Sequence, residues 1–392
     1  MSESPKTHGL DGTLVDPDWP PLTLPEVRSV LSCFERMDGP AEILSASPRP
    51  FSAASVVTVG QSRVFMKRHS RLIRTAEALR EEHRFMAHLR DQKVPVPQVF
   101  CTLSGDTVVK SEASVYELHS VPAGVDLYED AISWTPFFSA GHARSAGGML
   151  AALHRAAESY DAPARSERPL VASFTVFASK DVAAAWDRYT LARPALAAYL
   201  SHRQIREYAL ELLSSFHDEL SPLVPHFKPM WTHNDLHASN LFWSDRTDDA
   251  RATAVIDFGL CDRTNAVHDL AQAIERNILE WLTLMQNPEH PEAVRVHRDH
   301  LWALLDGYTS ARPLAPAERA ALAPMLALCH AEFALSEADY FLSSLQSEEK
   351  ARVACEDYLL GHGRWWRRAG AGLLDELRAW AAGPRMPEAS RA

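Results

Sequence analysis

Residues 231–259 read WTHNDLHASNLFWSDRTDDARATAVIDFG, which places His233, Asp235 and Asn240 close together and opens the triplet Asp257-Phe258-Gly259 seventeen residues after Asn240. Phosphoryl transfer asks a protein chiefly for positioning and charge neutralisation: a carboxylate facing the acceptor hydroxyl, and oxygen ligands for Mg²⁺ beside the nucleotide phosphates. Asp235 is the candidate for the first role, and Asn240 and Asp257 for the second. A chain of this length matches H-x-D-x-x-x-x-N by accident with a probability of roughly 0.05, and a D-F-G soon after lowers that to about one in ten thousand. Chance is a poor account of the stretch.

Such residues need a scaffold, and 392 residues with 46% hydrophobic and 23% charged content suffice for two lobes around sizeable cores. The net charge of −11 argues against a nucleic-acid binder or an anionic-membrane surface and leans toward a cationic or neutral partner. Five scattered cysteines without a C-x-x-C pair read as reduced thiols of a cytoplasmic protein. The sequence has no basic segment followed by an apolar run at its start, and no apolar stretch of membrane-spanning length, so secretion and membrane insertion are not expected.

Residues 1–24, rich in Pro, Asp and Gly, are expected to form a poorly ordered arm or a strap over the first lobe. The spacing of Val27, Val30, Leu31 and Phe34 predicts a short helix over 24–37. β-prone runs at 41–47, 53–59 and 63–69 predict an antiparallel meander, with Lys67 on its third strand. A helix carrying Glu82 is expected over 71–90, ending at VPVP, with further strands around 99–103, 106–110 and 114–119. Alanine- and leucine-rich segments at 139–157 and 179–220, and almost everything after residue 265, read as helical. His154 falls on an apolar helical face, as a hydrogen-bonded core histidine does. Asp269 falls in a helical first turn, where a carboxylate accepts exposed N–H groups.

Lys67, Glu82, Asp235, Asn240 and Asp257 follow one another in the order of a protein-kinase-like fold, since a strand lysine holds nucleotide phosphates in kinases. More narrowly, with EEHRFMAHLRDQKVPVPQV, then IDFG, then HDLA, the chain resembles the aminoglycoside phosphotransferase superfamily, which also holds choline kinase, type II homoserine kinase and a bacterial stress-response kinase. No H-R-D and no long segment ending in A-P-E points to eukaryotic protein kinases. The resemblance spans roughly residues 25–345. It implies an α+β, bilobal fold: a nucleotide-binding lobe at 25–120 with an antiparallel sheet and one key helix, and a mostly helical catalytic and acceptor lobe at 121–383. An arm at 1–24 and a tail at 384–392 flank them.

Residue by residue, the resemblance implies that Asp235 takes or orients the acceptor proton and that Asn240 and Asp257 ligate Mg²⁺. Lys67 binds the phosphates of ATP, Glu82 orients Lys67, and Ser120 and Val121 meet adenine through their backbone. Pro122 departs from the pattern because it has no N–H to donate. The segment SASPRPFSAAS departs too, because it lacks the glycines of a phosphate loop and leaves Ser47 and Ser52 as candidates there.

The pair His233 and His237 also invites a metallohydrolase reading, but no further histidine cluster completes a ligand set and Lys67, Glu82 and D-F-G would go unexplained. His233 is expected to hold the loop by packing and hydrogen bonding, and His237 to face solvent near the acceptor. For the acceptor pocket the candidates are His237, Asp262 and Glu337, with Glu332 and Asp339 as further negative charges. Tyr340, Trp365 and Trp366 are candidate covers for a small cation. The function expected is Mg²⁺-dependent transfer of the γ-phosphate of ATP to a hydroxyl of a small molecule such as an amino alcohol, a sugar or an aminoglycoside. The alternatives are a protein kinase of the stress-response type and a nucleotide-binding module without catalysis.

Overall fold

The structure is a computed structural model and describes residues 7–8, 14–47, 51–165 and 170–383. The 384–392 tail and residues 48–50 of the glycine-free loop lie outside the described residues. Short strands β1 (Thr7–His8) and β2 (Leu14–Val15) pair antiparallel ahead of helix α1 (Leu24–Leu31). The main sheet follows: β3 (Ala41–Ala46), β4 (Ala53–Val59), β5 (Ser62–Ser70), β6 (Val109–Lys110) and β7 (Ser114–Ser120), in the order β3-β4-β5-β7-β6 and antiparallel throughout. Valines of β4 and β5 supply the β-branched, half-buried surface that strands favour. Gly60, at φ +57°, makes the tight β4–β5 turn that β-branched residues resist.

Three hairpin strands arise as expected, but residues 99–103 form only isolated bridges, Val99 with His119 and Phe34 with Thr102. Helix α2 (Ala76–Asp91) is capped by Thr75, whose hydroxyl accepts the Ala78 N–H at 3.3 Å. α1 and the sheet enclose a small core of Val27, Leu31, Val57, Val64, Met66 and Leu118. Phe85, Met86 and Leu89 of α2 instead join the large core, each contributing ~1.5–3 kcal/mol by burial. The helix that flanks the sheet is thus anchored in the helical body.

That body contains α3 (Ala140–Ala157), α4 (Val182–Leu191), α5 (Pro194–His202), α6 (Ile205–Leu220), α7 (Ala266–Ile278), α8 (Trp281–Gln286), α9 (Arg298–Ala311) and α10 (Pro316–Ser343). Two small antiparallel pairs sit on it. One joins β8 (Met230–Thr232) to β11 (Asp262–Thr264), and the other joins β9 (Leu241–Trp243) to β10 (Ala252–Val255). Every residue of α7 is buried, so each of its polar side chains must find a partner inside the protein. Asp269, Arg276 and Asn277 find theirs in the loop between β8 and β9, whereas Gln272 donates to Cys329 O and Glu275 lies 3.0 Å from His362 Nδ1.

The arm reaches further than a strap over the sheet. Trp19 Nε1 donates to Tyr340 Oη of α10 at 3.2 Å, Tyr340 donates to Asp18 at 3.3 Å, and Lys350 pairs with Asp18. Arg68 of β5 meanwhile donates to Pro20 O and, at 2.7 Å, to Glu26. The five cysteines are unpaired, and no helix among the described residues is long and apolar enough to cross a membrane.

Candidate active site

The loop 233–240 is held from below by α7, whose residues 269, 276 and 277 recur at intervals of seven and eight and so share one helical face. Asp269 accepts the backbone N–H groups of His233 (2.9 Å) and Asn234 (2.8 Å), and His154 Nε2 lies 2.9 Å from the same carboxylate. Arg276 donates to Asn234 O at 2.8 Å and pairs with the carboxylate of Asp235. Asn277 donates to Leu236 O and accepts from Ala238 N, both at 2.8 Å. The loop backbone is therefore fixed at five atoms by one helix.

Asp269 thus does something other than cap its own helix. Asn265 does that, accepting from Val267 N (3.1 Å) and His268 N (2.9 Å), while Asp269 is spent on the loop. His154 is a hydrogen-bonded core histidine as expected, with Tyr308 Oη 2.7 Å from its Nδ1. His233 likewise holds the loop: its Nδ1 accepts the Asp235 N–H at 3.2 Å, its Nε2 lies 2.9 Å from Ile256 O, and its ring meets Phe258 edge-on at 4.8 Å.

Asn240 donates from Nδ2 to Asp235 O at 2.9 Å and to Asp235 Oδ2 at 3.3 Å, so its amide oxygen is turned away from that carboxylate. Ile256 N donates to Asn240 O at 2.9 Å, which brings Asp257 beside Asn240. Asp257 sits at φ +56°, a left-handed conformation that costs an aspartate roughly 1–3 kcal/mol and that the surrounding structure must impose. Its Oδ1 accepts from Lys67 Nζ at 2.9 Å. Burial alone would raise the Asp257 carboxyl, but the Lys67 ammonium overrides it and holds the group well below the usual carboxylate range. Burial conversely opposes charge on Lys67, and Asp257, Glu117 and Glu82 outweigh it, so the ammonium is held above its ordinary value.

Lys67, Asp235, His237, Asn240, Asp257 and Glu337 line one cavity of about 160 Å³, and Ser52 borders it. Ile132, Trp134, Leu282 and Phe333 supply apolar and aromatic walls. Behind those walls the Arg276 guanidinium lies 5.5 Å from the Trp134 ring centroid and 5.1 Å from that of Phe333. His237 is buried rather than facing solvent: its Nε2 lies 3.9 Å from Asp235 Oδ1, and its Nδ1 lies 3.0 Å from Ser239 Oγ. Burial pushes the Glu337 carboxyl up to about 8, against the pull of Arg276. The arrangement offers a carboxylate held by a fixed cation, two oxygen donors side by side, an ammonium, and a protonatable carboxyl on an aromatic wall.

Two expected contacts are not made. Glu82 does not pair with Lys67: its Oε2 lies 3.6 Å from Arg165, which is itself tied to Ala78 O (3.1 Å) and Gly259 O (3.0 Å). Arg165 draws Glu82 off, Asp257 takes Lys67, and Glu82 acts on the lysine only as a nearby charge. Asp262 is not on the cavity. It accepts the backbone N–H groups of Arg165 (2.8 Å) and Arg263 (2.6 Å), and burial pushes its carboxyl up to about 6.

Among the other acceptor candidates, Glu332 accepts from Thr175, Val176 and Phe177 N–H groups, Asp339 pairs with Arg193 at 3.4 Å, and Trp365 and Trp366 pack on Trp281. Of the linker pair, Ser120 already donates its N–H to Gln98 O at 2.8 Å, which leaves Val121 as the last backbone donor before Pro122. Ser47 donates its N–H to Ala54 O at 2.8 Å. Arg276, Asn277 and Trp134 escaped the sequence reading. The signal that could have found the first two is polar residues on the loop-facing side of a helix buried on every side.

A family model described as the phosphotransferase enzyme family matches residues 50–314, more than half of the chain and all of the cavity's charged residues except Glu337. The chain belongs to the phosphotransferase enzyme family. Solved structures share this family's fold with it. A microcompartment-associated aminopropanol kinase is 19% identical, with a TM-score of 0.58 over 89% of this chain and 98% of that one. An amicoumacin kinase solved with AMP-PNP, Ca²⁺ and Ami is 13% identical, with a TM-score of 0.54 over 88% and 94%. An aminoglycoside phosphotransferase from Alicyclobacillus acidocaldarius is 14% identical, with a TM-score of 0.51 over 93% and 98%. No curated protein matches the chain in sequence. The mixed architecture, a five-stranded antiparallel sheet on a largely helical remainder, is that of a kinase-like phosphotransferase.

Proposed function

We propose that this phosphotransferase moves the γ-phosphate of ATP to a hydroxyl of a small, amine-bearing molecule. The observation that carries the reading is the convergence of Lys67, Asp235, Asn240, Asp257 and Glu337 on one cavity with Trp134 and Phe333 as its walls. Residues 25–120 serve as the nucleotide lobe and 121–383 as the acceptor lobe. Val121 meets the base, Lys67 meets the phosphates, and Glu82 supports Lys67 by its charge.

Asn240 and Asp257 fit an oxygen-loving cation: both are hard oxygen donors, and the hydrogen bond from Asn240 Nδ2 to Asp235 O aims the amide oxygen the other way. These two residues would hold Mg²⁺, which when bound neutralises charge developing on the transferred phosphoryl group. Asp235 receives the acceptor hydroxyl. Arg276 pairs with its carboxylate and keeps it aimed, so Asp235 acts mainly by orienting the nucleophile and accepting its proton late. Lys67 leaves Asp257 for the nucleotide phosphates once ATP arrives. His237, beside Asp235, contacts the acceptor.

Glu337 gives the acceptor its class. A buried carboxyl with an aromatic wall pairs best with a compact ammonium, since the cation restores its charge and the ring faces attract it. The unpaired thiols accord with a cytoplasmic setting. The test is ADP release from Mg·ATP over a panel of amino alcohols, aminoglycosides, amine-free sugars and protein acceptors. Turnover confined to amine-bearing small molecules supports the reading, and turnover confined to a protein acceptor sinks it.

A further inference from the structure

Behind the nucleotide lysine lies a second cluster of ionisable side chains: Glu117, whose charge supports Lys67, and three histidines, of which His69 borders the cavity, to which phosphoryl transfer assigns no role. In the β5–β7 ladder Lys67 faces Glu117 and Phe65 faces His119, so His69, Glu117 and His119 lie on the same side of the sheet as Lys67. His83 comes to them from α2. Glu117 Oε2 lies 2.7 Å from His83 Nε2 and 3.0 Å from His119 Nε2, and Oε1 lies 2.9 Å from His69 Nε2. All four are buried, at 1% exposure for Glu117 and 9% for His119.

Hydrogen bonding accounts for only part of this. His69 and His83 are aligned with the carboxylate, whereas His119 Nε2 lies 3.0 Å from it but out of line, and makes no well-aligned hydrogen bond among the described residues. A buried ring nitrogen so poorly satisfied is costly, and here it lies close to two other ligand atoms. The ligand atoms of His83, Glu117 and His119 all lie within 4.8 Å of one another.

We propose that His83, Glu117 and His119 form a binding site for a divalent transition metal, with zinc the best fit. Two imidazoles and one carboxylate are a ligand set that Zn²⁺ accepts, with a fourth position left for water. The surroundings suit it as well. His83 Nδ1 lies 2.8 Å from Thr107 Oγ1, so with a metal on Nε2 the ring carries its proton on Nδ1 and donates it to that hydroxyl. His69 holds the second carboxylate oxygen. Neutral rings need only exchange tautomers, and any imidazolium in the cluster loses its proton as the metal enters. The bound ion ties α2 to β7, one residue before the linker at Ser120, and stabilises the sheet–helix contact.

The site is tested on the full chain, stripped with a chelator and titrated with Co²⁺ and Zn²⁺ in excess Mg²⁺, which occupies hard oxygen sites. The expected result is one equivalent bound with the visible bands of low-coordinate Co²⁺ and a raised melting midpoint. His83→Gln and His119→Gln should each weaken affinity by at least about 10–100-fold, the cost of losing even an outer-shell partner of a ligand, and His290→Gln, at an exposed position, should leave it unchanged. Absence of stoichiometric binding, or binding indifferent to both cluster substitutions, overturns the proposal. Should the variants not fold, zinc-edge absorption on the wild type decides. A shell with two imidazoles at about 2.0–2.1 Å supports the site, and an all-oxygen shell refutes it.

Discussion

Lys67 Nζ and Asp257 Oδ1 stand 2.9 Å apart although 190 residues separate them in the chain. Each holds the other in its charged form, so without nucleotide the two groups proposed to meet phosphate and metal neutralise one another. Binding Mg·ATP must exchange that pair for two new ones. Lys67→Met therefore removes a phosphate contact and frees the Asp257 carboxyl to rise toward its ordinary range. We expect kcat/KM for ATP to fall on the order of 10²–10³-fold, with the acidic limb of the rate profile moving to higher pH. Steady-state kinetics across pH checks both.

Glu337 carries a pH signature of definite sign. Its carboxyl, at about 8 in the folded chain against an ordinary 4.5, holds its proton more tightly when folded. The resulting stabilisation is fully present below the unfolded value and is lost as pH rises through about 8. A cationic acceptor needs the ionised form, so below that pH its KM should worsen by up to about tenfold per pH unit. Glu337→Gln should flatten both the denaturant stability profile and the acceptor KM profile over this window.

Arg276 separates orientation from binding. It is fully buried and paired with Asp235, so Arg276→Met strands a carboxylate and should cost about 3 kcal/mol in urea unfolding. Arg276→Lys keeps the charge but not the long, planar guanidinium whose Nη1 reaches both Asp235 and Asn234 O. Its kcat should drop at least tenfold with the nucleotide KM unchanged, a split that mere loss of stability would not produce.

The loop anchor gives a structural counterpart. Asp269→Ala leaves the His233 and Asn234 N–H groups and His154 without their acceptor. At roughly 1–3 kcal/mol for each unsatisfied buried group, the lowered midpoint in urea should be plain, and activity should fall with it.

What the sequence revealed follows from the range of each interaction. Asp235, Asn240 and Asp257 were legible because their chemistry is written in short spacings within one segment, and Lys67 because a strand lysine gained meaning from them. The antiparallel meander and α2 were legible from periodicity. Glu82 was assigned to Lys67 because nothing local announces that Arg165, from a distant loop, competes for it. Asp262 reads as a cavity residue because nothing local announces that the Arg165 N–H, from a segment 97 residues earlier, captures its carboxylate. Arg276 and Asn277 grip a loop some forty residues before them, and only the total burial of α7 makes their polarity telling.

The most direct measurement of the central claim is the transfer of labelled γ-phosphate to an amine-bearing acceptor by the wild type and by Asp235→Asn, with nucleotide affinity measured alongside. The account predicts that turnover falls on the order of 10²–10⁴-fold while ATP binds as before. A variant that transfers phosphate at the wild-type rate would contradict it.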